Sequence, residues 1–435
     1  TEPQAGSDLN LLKTKATKED DHYKIVGQKI YITGGDHDLT DNIIHFVLAR
    51  LPDAPPGTRG ISLFIVPKFI VKHDGTPGEK NDLRCVSLEH KLGLHGSPTC
   101  VMSYGDDNGA LGYLIGEENQ GLACMFTMMN LARIAVGVQG VGIAERAYQQ
   151  ALAYARERVQ GNRKNDSGKL SPVNIIQHPD VKRMLLDMKS ITEASRTLAL
   201  YTGYCLDASK KHQDPDVRQG FADRVALLTP LVKAWITDRA IEITNIGIQV
   251  HGGMGYIEET GAAQHFRDAR ITSIYEGTNG IQASDLVRRK IIREQGQSIT
   301  NLIGEMRADL EHDEYNSNNN LSTLSNTARL AISSLESSTH WLIETWPEDP
   351  DFVEAGATTF MRISGNAICG WLMARAALKA CKLLEIGNED LDFVRGKILS
   401  AQHFIETQLL QNSALEKILT SGNSAVAEIK ENEFR

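Results

Sequence analysis

The hydrophobic pattern changes its period once, near Gly116, and that change limits the fold more than any other feature of the chain. Ahead of it, apolar residues come in short runs. Residues 22–33 (HYKIVGQKIYIT) hold two alternating runs around Gly27, and residues 42–50 and 60–69 are rich in Ile, Val and Phe, with the turn-forming stretch LPDAPPGTRG between them. Short strands bounded by turns, with no helices interleaved, predict an antiparallel barrel or sandwich rather than a Rossmann sheet. Beyond Gly116 the apolar positions Leu122, Met125, Met129, Ala132, Val136, Ile143, Ala147 and Leu152 recur at helical spacing, giving a helix over about 118–158. Further helices are predicted over about 179–211, 219–250 and 280–295, and, after a boundary near 295–300, over 321–346, 352–384 and 392–419. The polar stretch 311–320 (EHDEYNSNNN) reads as a loop or linker. The layout is a β-barrel-like module (1–117), a four-helix module (118–296) and an additional helical tail (297–435).

Charge and cysteine usage exclude several classes of function. With 46 basic against 55 acidic residues the net charge is −9, which argues against nucleic acid as a partner. Six scattered cysteines with no C-x-x-C read as buried thiols in a reducing compartment, and no metal site is expected. No uninterrupted apolar stretch of about 18 residues occurs, so no integral membrane segment is expected. The most apolar candidate, 360–381, is broken by Arg362 and Arg375. There is no signal-peptide pattern, and the first residue, Thr1, falls inside a motif-like segment, as expected of a fragment.

No H-E-x-x-H, no Walker-type phosphate loop and no G-x-S-x-G occurs. Gly137, Gly140 and Gly142 lie in a helical pattern, where close helix packing explains them better than a dinucleotide loop. Met125, Met128 and Met129 read as a helical core face. Three clusters remain. TEPQAGSD (1–8) is either an ordinary turn or a loop that brings backbone N–H groups and hydroxyls to a flat polar ligand. QVHGGMGY (249–256) is either a glycine C-cap or a point of close backbone approach. In YEGTN (275–279), Glu276 is either a general base in a small desolvated pocket or a solvated residue ahead of a Thr278 or Asn279 cap.

Taken in order, TEPQAGSD, GQKIYITGG, RERVQG, QVHGGMGY and IYEGTNGIQ resemble the acyl-CoA dehydrogenase family over residues 1–293. The resemblance implies a middle β domain followed by a four-helix domain, FAD as cofactor and an acyl-CoA substrate, with the family's N-terminal helical domain absent. It makes Glu276 the base that takes the α-proton while the β-hydrogen leaves as hydride to the flavin, and it puts Gly277 beside the substrate. Other branches carry the base at a position that is Ala132 here, which cannot accept a proton. Flavin contacts are implied for Thr1, Gly6, Ser7, Tyr31, Ile32, Thr33, Thr278 and Asn279. Arg158 is implied for the pyrophosphate, and Gln249, Gly252 and Gly253 for the adenosine half across a subunit interface. Val159 and Gln160 depart from the family's usual lysine-threonine-phenylalanine pattern and are one residue short of it. Ser7, Asn130 and Arg133 are implied for the substrate thioester arm.

The tail resembles the longer bacterial branch with an extra C-terminal helical domain, which includes 3-methylmercaptopropionyl-CoA dehydrogenases. A fatty acyl-CoA is the other substrate implied. Further implications are an electron-transfer flavoprotein as acceptor, a homo-oligomer (dimer or tetramer) and a cytoplasmic bacterial location. His37 and His90 are assigned structural or surface roles. Two other readings stay open: an oxidase on the same fold, and a non-catalytic helical binding or assembly protein.

Overall fold

The computed structural model describes residues 1–317, 319–387 and 390–434, which divide into two compact units, Thr1–Ala132 and Arg133–Arg435. The first unit is built on β1 (Lys15–Glu19), β2 (His22–Thr33), β3 (Ile44–Arg50), β4 (Ile61–Pro67), β5 (Phe69–Val71), β6 (Pro77–Lys80), β7 (Leu83–Leu88), β8 (Thr99–Tyr104) and β9 (Ala110–Ile115). Seven of these form one sheet in the order β1-β3-β4-β9-β2-β8-β7, and β1 also pairs with β2. That extra pairing closes β1, β3, β4, β9 and β2 into a ring, so the sheet is barrel-like and buries most of its edges. Alternation decides which side chains fill it: Val47 and Ala49 of β3 point inward beside Phe64, Val66, Met102 and Tyr104, while Phe46 stays 55% exposed.

Strand β2 is long enough to serve both halves of the sheet because it carries a bulge. Its register against β8 shifts between Lys29 and Ile32, and Tyr31 sits there at φ 59°. A tyrosine in the left-handed region is uncommon, and bulges of this kind re-aim side chains near functional sites.

The second unit follows from α1 (Gly121–Glu157), which runs from one unit into the other. After a polar hairpin of β10 (Val159–Lys164) and β11 (Leu170–Asn174) come α2 (Pro179–Lys211), α3 (Pro215–His251), α4 (Ala262–Arg270) and α5 (Asn279–Asp285). A π-helical turn, Leu286–Ile292, continues α5 and rotates Leu286, Val287 and Ile291 into the core. The tail contributes α6 (Gln297–Leu310), α7 (Asn319–Thr345), α8 (Pro350–Ala355), α9 (Ala357–Ile386), α10 (Leu391–Gln408), α11 (Asn412–Ser421) and α12 (Ser424–Glu428). One continuous core joins the tail to α2 and α3. At its centre Trp235 of α3 meets Phe404 of α10 edge-on at 6.3 Å and donates to Asn366 of α9 at 3.1 Å. Polar links on its rim, His403 to Asp187 at 2.6 Å and Lys397 to Glu193 at 2.9 Å, tie α10 to α2.

Several sequence expectations need correction. The predicted helix over 352–384 is two helices broken at Gly356, where Leu419 packs so closely that a Cβ would lie 2.4 Å from its Cδ1. The predicted helix over 392–419 is interrupted by a 3-10 turn at Leu409–Gln411. Within the expected linker 311–320, Asp313–Ser317 form a 3-10 turn and α7 begins at Asn319, with residue 318 outside the described residues. The methionine cluster is not core, for Met128 is 46% exposed and Met125 and Met129 are only partly buried.

Among the described residues, α1 alone is long and apolar enough to cross a membrane, by length and composition. Its later part packs through small residues. Ala144, Ala147, Ala151 and Ala155 are buried in the helical core, and a Cβ on Gly137 would lie 2.4 Å from Val232 Cγ1. Gly140 packs on α3 as well, whereas Gly142 faces open space.

Candidate active site

In the β unit the first eight residues are pinned by Glu2. Its carboxylate is buried, with 3% exposure, and forms an ion pair with the equally buried Lys29 at 2.8 Å. It also accepts hydrogen bonds from Lys13 N at 2.7 Å, Thr14 N at 3.1 Å and the Thr14 hydroxyl. Burial alone would push its pKa up, but the hydrogen bonds from Lys29, Thr14 and Lys13 outweigh it and lower the value to about 2. A further bond, Ile30 N to Thr1 O at 3.0 Å, lays the loop against β2. Sequence reasoning missed Glu2. A carboxylate between two small polar segments gives no burial signal until its lysine partner, 27 residues away, is in place.

Beside this anchor lies a cavity of about 300 Å³, whose lining includes Thr1, Ile32, Thr33, Leu63, Met125 and Met128. His45 also lines it; it accepts from or donates to the Tyr104 hydroxyl at 2.9 Å through Nδ1, while its buried Nε2 has no partner. Burial lowers the His45 pKa to about 4. Of the residues implied for flavin, Thr1, Ile32 and Thr33 line this cavity, while Tyr31, Gly6 and Ser7 are exposed and do not. Asn130 is exposed on α1.

In the helical unit, Glu276 lies between the 3-10 turn Ile271–Ser273 and α5, in the left-handed region at φ 57°, and Gly277 follows at φ 86°. The Glu276 Oε2 is buried and makes no hydrogen bond. Gly277 is required by space as well as by φ: a Cβ there would lie 2.6 Å from Gln282 Nε2 and 3.9 Å from Arg133 Nη2. Gln282 is fully buried with both amide atoms unpartnered. Arg133 of α1 is half-buried; burial lowers its pKa, and the nearby carboxylates of Asp285 and Glu276 oppose that. Thr278 caps α5, accepting from Ile281 N at 3.3 Å. The Asn279 side chain turns instead toward α3, where both ends of its amide are hydrogen-bonded.

At one end of the bundle, Tyr154 of α1 stacks on His251 of α3 with centroids 4.5 Å apart. That stacking brings Arg158, one residue past α1, to the same end as Gln249, Gly252 and Gly253, and all four are exposed. Among the described residues no group of three or more His, Cys, Asp or Glu side chains has metal-holding geometry.

The family models for the acyl-CoA dehydrogenase middle domain, the acyl-CoA dehydrogenase C-terminal domain and an acetyl-CoA dehydrogenase C-terminal-like domain match residues 1–106, 119–291 and 302–430. A 3-methylmercaptopropionyl-CoA dehydrogenase from Ruegeria pomeroyi is 47% identical over 421 residues, which cover 97% of this chain and 70% of the relative.

The chain belongs to the acyl-CoA dehydrogenase family.

A butyryl-CoA dehydrogenase from Syntrophomonas wolfei is 40% identical over 416 residues, covering 93% of this chain and 67% of the relative. In fold, the chain is similar to an acyl-CoA dehydrogenase complexed with FAD from Bacillus anthracis, with a TM-score of 0.73 at 22% identity, covering 99% of this chain and 68% of that one. Acyl-CoA dehydrogenases are FAD-dependent oxidoreductases. The residues present fit such a cofactor part by part. The β-unit cavity has an apolar wall (Ile32, Leu63, Met125 and Met128) and hydroxyls (Thr1 and Thr33) suited to a flat ring with a polar rim. Gly6, Gly252 and Gly253 each have open space where a Cβ would stand, so a ligand can approach their backbone.

Proposed function

We propose that this acyl-CoA dehydrogenase oxidises a short acyl-CoA, 3-methylmercaptopropionyl-CoA foremost, to the trans-2-enoyl-CoA, with Glu276 as the base. The observation that carries the assignment is the state of Glu276: left-handed, with Oε2 buried and making no hydrogen bond. A buried carboxylate oxygen without a partner costs about 1–3 kcal/mol or more. At this position it is available to accept the α-proton of a thioester. Gly277, with no side chain, leaves the backbone beside the base accessible, and Arg133 contributes positive charge to the same loop. FAD, when bound, supplies the acceptor for the β-hydrogen and its electron pair. Thr1, Gly6, Ser7, Tyr31, Ile32, Thr33 and Thr278 are the proposed contacts of the ring and its neighbourhood. Arg158, Gln249, Gly252 and Gly253 are proposed for the pyrophosphate and adenosine half. Ser7, Asn130 and Arg133 are proposed for the thioester arm. The identity to the Ruegeria pomeroyi relative supports the choice of acyl group. An electron-transfer flavoprotein as acceptor, a homo-oligomer and a cytoplasmic location complete the proposal.

The test is anaerobic mixing of the FAD-loaded protein with a panel of acyl-CoAs while flavin absorbance is followed. Bleaching by 3-methylmercaptopropionyl-CoA at a rate above that with longer fatty acyl-CoAs is expected. In Glu276→Gln the rate is expected to fall by about 10²–10⁴, the contribution of a general base. A drop of only a few-fold would refute Glu276 as the base.

A further inference from the structure

The turn that carries Glu276 is held by side chains to which the proposed chemistry gives no task. Lys233 of α3 is fully buried, and its Nζ donates to Asn279 Oδ1 at 2.8 Å. The Asn279 Nδ2 donates in turn to Asp238 Oδ1 at 2.7 Å, Thr237 Oγ1 at 2.9 Å and Ala234 O at 3.1 Å. Both ends of one amide are therefore fastened to one short stretch of α3, Lys233 to Asp238. On the other flank, the Tyr275 hydroxyl donates to Gln139 of α1. Between these anchors stand the two left-handed residues, Glu276 and Gly277. A non-glycine residue in that region costs about 1–3 kcal/mol and persists only where its surroundings over-determine it.

A buried ammonium is itself expensive. Burial lowers the Lys233 pKa to about 8, and the Asp238 and Glu276 carboxylates offset part of that effect while Arg133 adds to it. Burial likewise raises the pKa of Asp238, against the Asn279 hydrogen bond and the neighbouring cations. A methionine of similar length would fill the same space without a desolvated charge. Core filling therefore does not explain a lysine here; the hydrogen bond to Asn279 does.

We propose that Lys233 is a positioning residue: through Asn279 it holds the 276–279 turn, at the start of α5, in the conformation that presents the Glu276 carboxylate to the substrate α-proton. The inference rests on Glu276 as the base. A displacement of about 1 Å at a reacting group is enough to cost ~10²-fold in rate.

The test compares Lys233→Met, Asn279→Ala and the double variant with the unaltered protein by two measurements. The first is anaerobic flavin reduction in the FAD-loaded enzyme. Its limiting rate at saturating acyl-CoA is expected to fall about 10- to 100-fold in each single variant, with the half-saturating concentration within about threefold. The double variant is expected to be no worse than the poorer single, since both act through one link. The second is hydrogen exchange of the 275–282 segment without acyl-CoA, expected to speed up about tenfold in both variants while the β2 amides stay unchanged.

Unchanged rate and unchanged exchange would overturn the proposal. So would losses that multiply in the double variant, or a loss seen only as weaker half-saturation. If Lys233→Met does not fold, Asn279→Ala decides by the same two readouts. Glu276→Gln separates the two claims: if it keeps its rate, the base assignment fails by itself, and exchange of the turn still reports whether Lys233 holds it.

Discussion

Replacing Gly365 with alanine is a direct test of whether the tail and the dehydrogenase helices share one core. A Cβ at this position on α9 would lie 2.2 Å from Trp235 Cδ1, 2.4 Å from Cγ and 2.7 Å from Nε1. Carbon atoms in contact prefer about 3.5–4.0 Å, so the overlap exceeds 1 Å. The indole has nowhere to retreat. It is 2% exposed, packs against Phe404 and donates to Asn366 at 3.1 Å. Overpacking of this kind costs about 1–3 kcal/mol, and losing the indole hydrogen bond adds ~1 kcal/mol. A total near 3 kcal/mol corresponds to a fall in Tm of roughly 6–10 °C for a unit of this size. All four tryptophans, at 235, 341, 346 and 371, lie in the helical unit, so their fluorescence reports on it selectively. Urea and thermal unfolding followed by tryptophan emission, at fixed protein and FAD concentrations, give the measurement. Gly365→Ala combined with Trp235→Phe is expected to be less destabilised than the sum of the singles by about 1 kcal/mol or more, because the smaller ring relieves the overlap. A Gly365→Ala protein within about 0.5 kcal/mol of the unaltered one, the range of an uninvolved surface change, would refute the shared core.

The β unit is expected to lose stability to acid in two stages. His45, held at about 4 against an ordinary 6.5, contributes stability that is complete above pH 6.5 and lost as pH falls toward 4; Glu2, lowered to about 2 from 4.5, contributes stability lost between pH 4.5 and 2. Each is worth at most about 3 kcal/mol, and hydrogen exchange of the β2 and β3 amides across this range checks both, with Glu2→Gln removing the lower stage. Gly277→Ala, forced to φ 86° with its Cβ 2.6 Å from the Gln282 amide, is expected to slow flavin reduction about 10²-fold while circular dichroism stays native. Gly253→Ala is expected to leave Tm unchanged or slightly raised, yet to weaken FAD binding by about tenfold or more, roughly 1.4 kcal/mol, as read by titration of the flavin-free protein.

What could be read from the chain follows from how local each signal is. The helix over 179–211 has the bounds that spacing and end signals predict, because it is long and carries its pattern within itself, whereas the two alternating runs around Gly27 are one continuous strand, His22–Thr33. The hairpin of β10 and β11 escaped because its residues are mostly exposed, leaving no apolar alternation to find. Strand β8 did carry a signal: Cys100, Met102 and Tyr104 alternate inward within TCVMSY, a period-two pattern hidden in six residues. Inside the site, Glu276 and Gly277 stand out as a motif, but Lys233 looks like one charge in the apolar run PLVKAWI. Its meaning depends on Asn279, 46 residues away, and no local pattern encodes such a pairing. Glu2 and Lys29 present the same difficulty.

The glycines of the 249–256 segment show how a ligand site can be separated from the needs of the fold. Gly252 ends α3 at φ 60° and ψ −138°, a backbone conformation open to glycine and costly for any other residue. Gly255 is demanded by packing, since a Cβ there would lie 2.3 Å from the carbonyl of Ile248. Gly253 answers to neither requirement: it is exposed, its φ is not positive, and nothing lies within 4 Å of where its Cβ would stand. At such a position alanine would stabilise the folded chain by about 0.4–1 kcal/mol, through a less flexible unfolded state. Folding does not require a bare backbone there, which supports the proposed contact with a bound molecule. The one glycine of this segment that neither cap nor packing requires lies at the end of the bundle that also carries Arg158, a cation suited to a pyrophosphate.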